Sequence, residues 1–164
     1  MGYTHYWYYN PSKAKSGTSE PFSKALAAIK EYKALLESRD LVLRGPMGEG
    51  PAELTPEVIA YNGDASEGLD HESFCVEREF QATRSGFSFC KTARKPYDTL
   101  VCLSLISMFE AFADPEVFSY CSDGSDDEEE WCEAYKVYRE VNSKEPPSLA
   151  QAAPPERAAR ENRL

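Results

Sequence analysis

Side chains alternate along residues 3–9, with Tyr3, His5, Trp7 and Tyr9 on one side and Thr4, Tyr6 and Tyr8 on the other. Aromatic and β-branched residues in that period predict a strand, ended by Asn10-Pro11. The period then changes. Phe22, Ala25, Leu26, Ile29, Tyr32 and Leu36 fall on one face at 3.6-residue spacing, which predicts an amphipathic helix over 21–38, capped by Thr18 or Ser19. Residues 41–43 read as a short strand or extended lead-in. Residues 44–56, with three Gly and three Pro, read as a long loop. Strands are predicted over 57–61, before the turn signal Asn62-Gly63, and over 73–77 and 87–90. Pro96 opens a helix over 97–112 that is apolar almost all round and belongs at the centre of the core; Asp114-Pro115 stops it. A strand over 117–121 follows. Ser125 and Glu128 then form a capping box for a helix lined by Trp131, Ala134, Tyr135, Tyr138 and Val141.

This order predicts an α+β fold. Residues 1–142 form a single domain, a mostly antiparallel sheet packed with about three helices. Residues 143–164, rich in Pro, Ala and charge and lacking aromatics, are expected to be a disordered tail. No apolar run approaches the roughly 20 residues of a membrane span, so no membrane partner is expected. The first residues lack the basic and apolar regions of a signal peptide.

Charge narrows the partners. A formal net charge of -10 argues against duplex nucleic acid, whose affinity comes from neutralised phosphates. Cys75, Cys90, Cys102, Cys121 and Cys132 are odd in number and contain no CxxC, so neither a disulfide framework nor a zinc site is expected. The expected metal and cofactor set is empty.

Against this acidic background the cations Lys91, Arg94 and Lys95 gather just before a helix start. Backbone N–H groups and the helix dipole favour anions at such a place. Arg94 would hold a phosphate or carboxylate in bidentate fashion, the lysines would act as point charges, and Thr92 and Tyr97 would add neutral hydrogen bonds. Core packing is the common fate of Tyr3, His5 and Trp7, although aromatic rings on a strand also stack on flat ligands. His71 is a further ligand-site candidate. It would not pair with Glu72, because neighbouring strand residues point to opposite faces. Cys90, beside Lys91, reads as core. The six carboxylates within 123–130 do not match a calcium loop and read as helix-start complement and solubility. No nucleophile elbow, Walker or Rossmann fingerprint is present, so the chain leans away from being an enzyme.

Several of these pieces resemble a widespread family of small, uncharacterised tailed-bacteriophage proteins. They are Met1-Gly-Tyr-Thr-His-Tyr-Trp7, Tyr61-Asn-Gly63, His71-Glu72-Ser-Phe74, Phe87-Ser-Phe-Cys-Lys-Thr-Ala-Arg-Lys-Pro-Tyr-Asp98, and Ser122-Asp-Gly124 with Trp131. The resemblance covers most of the domain, and the stretch around 91–98 is its specific part. It implies an accessory phage protein in the bacterial cytoplasm. With the anion site, it leads to the expectation of a protein that binds a small anionic, nucleotide-derived ligand. A host immune second messenger is the class such a counter-defence sponge would hold. The rival expectation is an acidic inhibitor of a host nucleic-acid-binding or defence protein. A tyrosine-rich surface would also suit a homo-oligomer.

Overall fold

The computed structural model describes residues 3–155. The fold is α+β, with four α-helices and two small antiparallel sheets. The strands are β1 (Thr4–Tyr9), β2 (Glu53–Leu54), β3 (Val58–Tyr61), β4 (Phe74–Glu77), β5 (Phe87–Lys91) and β6 (Phe118–Ser122). The helices are α1 (Ser19–Glu37), α2 (Asp98–Phe112), α3 (Glu129–Asn142) and α4 (Leu149–Ala152). One sheet has the order β5-β1-β6, the other β2-β3-β4.

The alternation in β1 assigns its faces. His5 sits opposite Cys90 and Ser122, and Trp7 opposite Ser88 and Tyr120. This is the inward face, where Tyr3, His5, Trp7, Tyr9, Cys90 and Tyr120 are buried. The outward face aligns Tyr6 with Phe89 and Cys121, and Tyr8 with Phe87 and Ser119.

The apolar face of α1 packs onto α2, burying Phe22, Leu26, Ile29, Tyr32 and Leu36. Each such burial contributes roughly 1.5–3 kcal/mol of transfer free energy. Truncating the fully buried Ile29 to Ala would cost about 2–5 kcal/mol through the cavity it leaves. Helix α2 is buried on every side from Leu100 to Met108, with α3 on another of its flanks. Its two inward serines are satisfied: Ser104 Oγ meets Tyr61 Oη at 2.7 Å, and Ser107 donates to the Leu103 carbonyl at 2.8 Å.

Two expectations change and two are refined. Residues 44–56 are not all loop, because Glu53 and Leu54 pair with Ala60 and Ile59. Residues 41–43 take the second of their two alternatives, a lead-in without strand pairing that runs into an isolated bridge between Arg44 and Asn62. Helix α3 begins at Glu129 without the Ser125/Glu128 capping box, and Asp126 instead accepts from Tyr135 and from the Leu149 amide. Thr18 takes the N-cap position of α1, its carbonyl accepting from the Phe22 amide, but its hydroxyl goes to Glu79 instead of to the helix amides.

The tail expectation also changes in part. A capping box of Ser148 and Gln151 starts α4, which packs against β6 and fully buries Ala152. Residues 156–164, the rest of that expected tail, lie outside the described residues. All five cysteines are free. Among the described residues no helix is long and apolar enough to cross a membrane.

Burial raises the phenol pKa of Tyr9, Tyr61, Tyr97 and Tyr120 above the ordinary value and pushes the Cys90 thiol up to about 12. The unfolded chain releases phenol protons near pH 10 while the folded chain keeps them. Above that pH the unfolded state binds fewer protons, so stability falls as pH rises. Unfolded thiols ionise near pH 8.5 and phenols near pH 10, so denaturant midpoints measured from pH 7 to 12 should begin to fall above about pH 8.5 and fall faster above about pH 10, where phenolate absorbance rises as the chain unfolds.

Candidate functional site

The ends of β5 and β6, the start of β1 and the start of α2 meet at one end of the first sheet. A chain of hydrogen bonds runs through this meeting point. Ser122 Oγ accepts from the Gly124 amide at 3.1 Å and from the Trp131 indole at 3.0 Å. Its own proton is thereby directed to His5 Nδ1, 2.9 Å away. His5 then carries its proton on Nε2 and donates to Asp98 Oδ1 at 2.7 Å. Asp98 also accepts from Thr92 Oγ1 and, at 3.6 Å, from the Cys102 thiol. His5 and Asp98 are 0% and 2% exposed, so this is a core feature. The His5 imidazole is flanked edge-on by Trp131, at 5.4 Å, and by Tyr3, at 5.1 Å.

A second set of bonds braces the same region from the other sheet. Asn62 donates to the His71 carbonyl at 2.9 Å and accepts from the His71 and Gly63 amides. His71 Nδ1 donates to the Lys91 carbonyl at 2.7 Å, and Glu72 accepts the Lys91 amide at 2.7 Å. The Tyr97 hydroxyl donates to the Glu72 carbonyl at 2.6 Å. Segments distant in sequence thus converge on 91–98: the start of β1, residues 62–63, residues 71–72, and 122–124 with Trp131.

The predicted site residues divide into two groups. Tyr3, His5, Trp7, Thr92 and Tyr97 lie in the core, at 3% exposure or less, and offer no surface to a ligand. Trp7 packs on Phe74 at 5.1 Å. The reason is register: the face of β1 that carries Tyr3, His5 and Trp7 turns onto α2. Lys91, Arg94 and His71 are exposed and Lys95 is half-buried.

The cations have separate partners. Arg94 stacks its guanidinium 4.2 Å over the Tyr3 ring and pairs with Glu130 at 2.6 Å and Glu128 at 3.4 Å. Lys95 donates to the Gly68 carbonyl at 3.0 Å, and the Lys91 ammonium lies 5.8 Å from the centre of the Phe89 ring. Between them, Ala93 and Arg94 both adopt left-handed backbone, at φ 51° and 59°. Among the described residues no acceptor takes either of their amide protons. Consecutive amides in such a bend form a concavity suited to an anion. The outward face beside Lys91 supplies an aromatic surface: Phe89 is 48% exposed, and Tyr6 and Phe87 lie stacked at 6.1 Å.

Sequence reasoning missed Asp98, Cys102 and Ser122 as site residues. The signal was a single carboxylate opening an otherwise apolar helix, with a cysteine one turn later. The atoms His5 Nε2, Asp98 Oδ and Cys102 Sγ lie within 4.8 Å of one another, close enough to share a metal ion. Such an ion would have to replace the His5–Asp98 bond and draw off the thiol proton, which burial and the Asp98 charge hold well above the ordinary pKa.

The acidic run also has internal uses. Asp123 accepts from the Thr4 amide and the Tyr6 hydroxyl, Asp126 from Tyr135 and Leu149, and Glu128 and Glu130 from Arg94. No protein-family model, no curated protein and no solved structure matches the chain.

Replacing Asp98 by Ala strands the His5, Thr92 and Cys102 donors in the core. Equilibrium unfolding in urea should show a loss of about 3–5 kcal/mol at unchanged slope. A loss under about 1 kcal/mol would show that the polar chain is incidental to the fold.

Proposed function

We propose that this chain is a phage accessory protein that binds and sequesters a small anionic, nucleotide-derived ligand, a host immune second messenger being the class in view. The observation that carries this reading is the bend at Ala93 and Arg94. Two unclaimed amide protons sit there among Lys91, Arg94 and Lys95, immediately before α2. The flat part of the ligand rests on the outward aromatic surface at Phe89 and Tyr6, beside the Lys91 ammonium. The resemblance to tailed-phage proteins supports the sequestering role.

Glu128 and Glu130 occupy Arg94 and compete with an incoming anion. The rival reading, an acidic surface that occupies a host nucleic-acid-binding protein, draws little support from a run in which four of the six carboxylates are engaged within the chain.

The test is capture. Purified protein is mixed with lysate of phage-infected, defence-competent cells, washed and denatured, and the released small molecules are weighed by mass spectrometry. A nucleotide-like mass from the wild type, absent from Arg94→Glu, is the expected result. No mass from either protein overturns the reading. For the captured molecule, Glu130→Gln should tighten binding about two- to fivefold, the worth of an ion pair that is exposed on its Arg94 side and removed as competitor.

A further inference from the structure

The opposite end of the first sheet holds a cleft of about 420 Å³. Tyr8 and the Pro154-Pro155 segment form apolar walls, and the loops carrying Lys13 and Arg84 border it. This volume falls within the ordinary range for small-molecule sites.

Ser119 lies on the cleft's lining at 1% exposure, and its hydroxyl has no hydrogen-bond partner. A buried hydroxyl left unpaired costs about 1–3 kcal/mol, so a group that completes its bonding is favoured. The charges point the same way. Arg84 has no hydrogen-bond or ion-pair partner for its guanidinium among the described residues. Among the described residues Lys13 reaches only Glu116, at 3.6 Å, with both side chains more than half exposed, and such a pair contributes little. Gln81 has its amide nitrogen fixed on the Thr83 and Arg84 carbonyls at 3.0 and 2.9 Å, which leaves its side-chain oxygen as an acceptor.

We propose that this cleft is a second binding site, separate from the bend at Ala93 and Arg94, for a mononucleotide-sized molecule that joins a flat ring to a phosphate. The ring lies between Tyr8 and the proline wall, and its polar edge meets the Ser119 hydroxyl and the Gln81 oxygen. The phosphate is held by Arg84 and Lys13, for which Arg84 supplies two parallel donors. The site shares no residue with the bend, so it stands or falls independently of the proposed function.

The experiment is calorimetric titration of the full chain with 5′-AMP, adenosine and inorganic phosphate, using wild type, Arg84→Glu, Ser119→Val and Arg94→Glu. The expected result is saturable 5′-AMP binding, with adenosine and phosphate each at least about tenfold weaker. Arg84→Glu should lose about tenfold or more, the scale of one charge-assisted hydrogen bond. Ser119→Val should weaken 5′-AMP binding while its melting temperature stays level or rises, because an unpaired buried hydroxyl has been removed. In Arg94→Glu the component of 5′-AMP binding that depends on Arg84 and Ser119 should persist, which tells binding in the cleft apart from binding at the bend. Absence of saturable 5′-AMP binding at millimolar concentration overturns the inference. So does binding that survives both Arg84→Glu and Ser119→Val, and loss in Arg94→Glu alone would move the nucleotide to the other site.

Discussion

The hydrogen bond between His5 Nε2 and Asp98 ties the first strand to the first turn of the central helix, and the rest of this end of the molecule is arranged around it. Two ionisable side chains so deeply buried are tolerated only when their polar atoms are matched. Here the matching is directional. Amide and indole protons fix the Ser122 hydroxyl, the hydroxyl fixes the imidazole tautomer, and the imidazole meets the carboxylate. Apolar burial would pull β1, β6, α2 and α3 together in many relative positions. The polar chain singles out one, because every member has a required partner.

The surface loop inherits that rigidity. Thr92 is held from below by Asp98 and by the hydrogen bond its amide donates to the Tyr3 carbonyl, and Tyr97 is held by the Glu72 carbonyl. Between these fixed points the chain turns through two left-handed residues that are neither glycine nor asparagine, a conformation that persists where the surroundings over-determine it. The close approach of Gly124 belongs to the same construction: a Cβ at that position would lie 2.2 Å from the Tyr3 hydroxyl. A helix start that points its carboxylate into the core leaves its cations at the rim, where they meet the acidic segment leading into α3.

Charge in this protein is local in its effects. A net charge of -10 suggests a surface that repels anions, yet six of the carboxylates cluster in one segment, and four of these are bound to the chain's own amides, hydroxyls and guanidinium. At the far end of the sheet, Arg84 and Lys13 line the same cleft as the unpaired Ser119 hydroxyl, with one weakly held carboxylate neighbour in Glu116. Two basic places therefore coexist with an acidic total, each defined within a few ångströms rather than by the sum.

The amphipathic period of α1, the all-apolar run of α2, the alternation of β1 and β4 and the presence of β5 were legible in the chain. Burial of one face follows directly from where the apolar residues fall along a helix or strand. The concentration of cations before α2 was legible for the same reason, being local in sequence. The pairing of His5 with Asp98 and Ser122 was not, since those residues are 93 and 117 positions away and no spacing rule spans such a distance. Nor was it legible that β2 would form within a Pro/Gly-rich stretch, or that residues 148–152 would dock on β6. Each depends on a partner edge or face that exists only once the sheets have assembled. Sequence determined which faces would be apolar and where positive charge would gather. The tertiary structure alone decided which face of β1 turned inward, which carboxylates took up the cations and which hydroxyl was left without a partner, because these depend on contacts between segments that only the folded chain brings together.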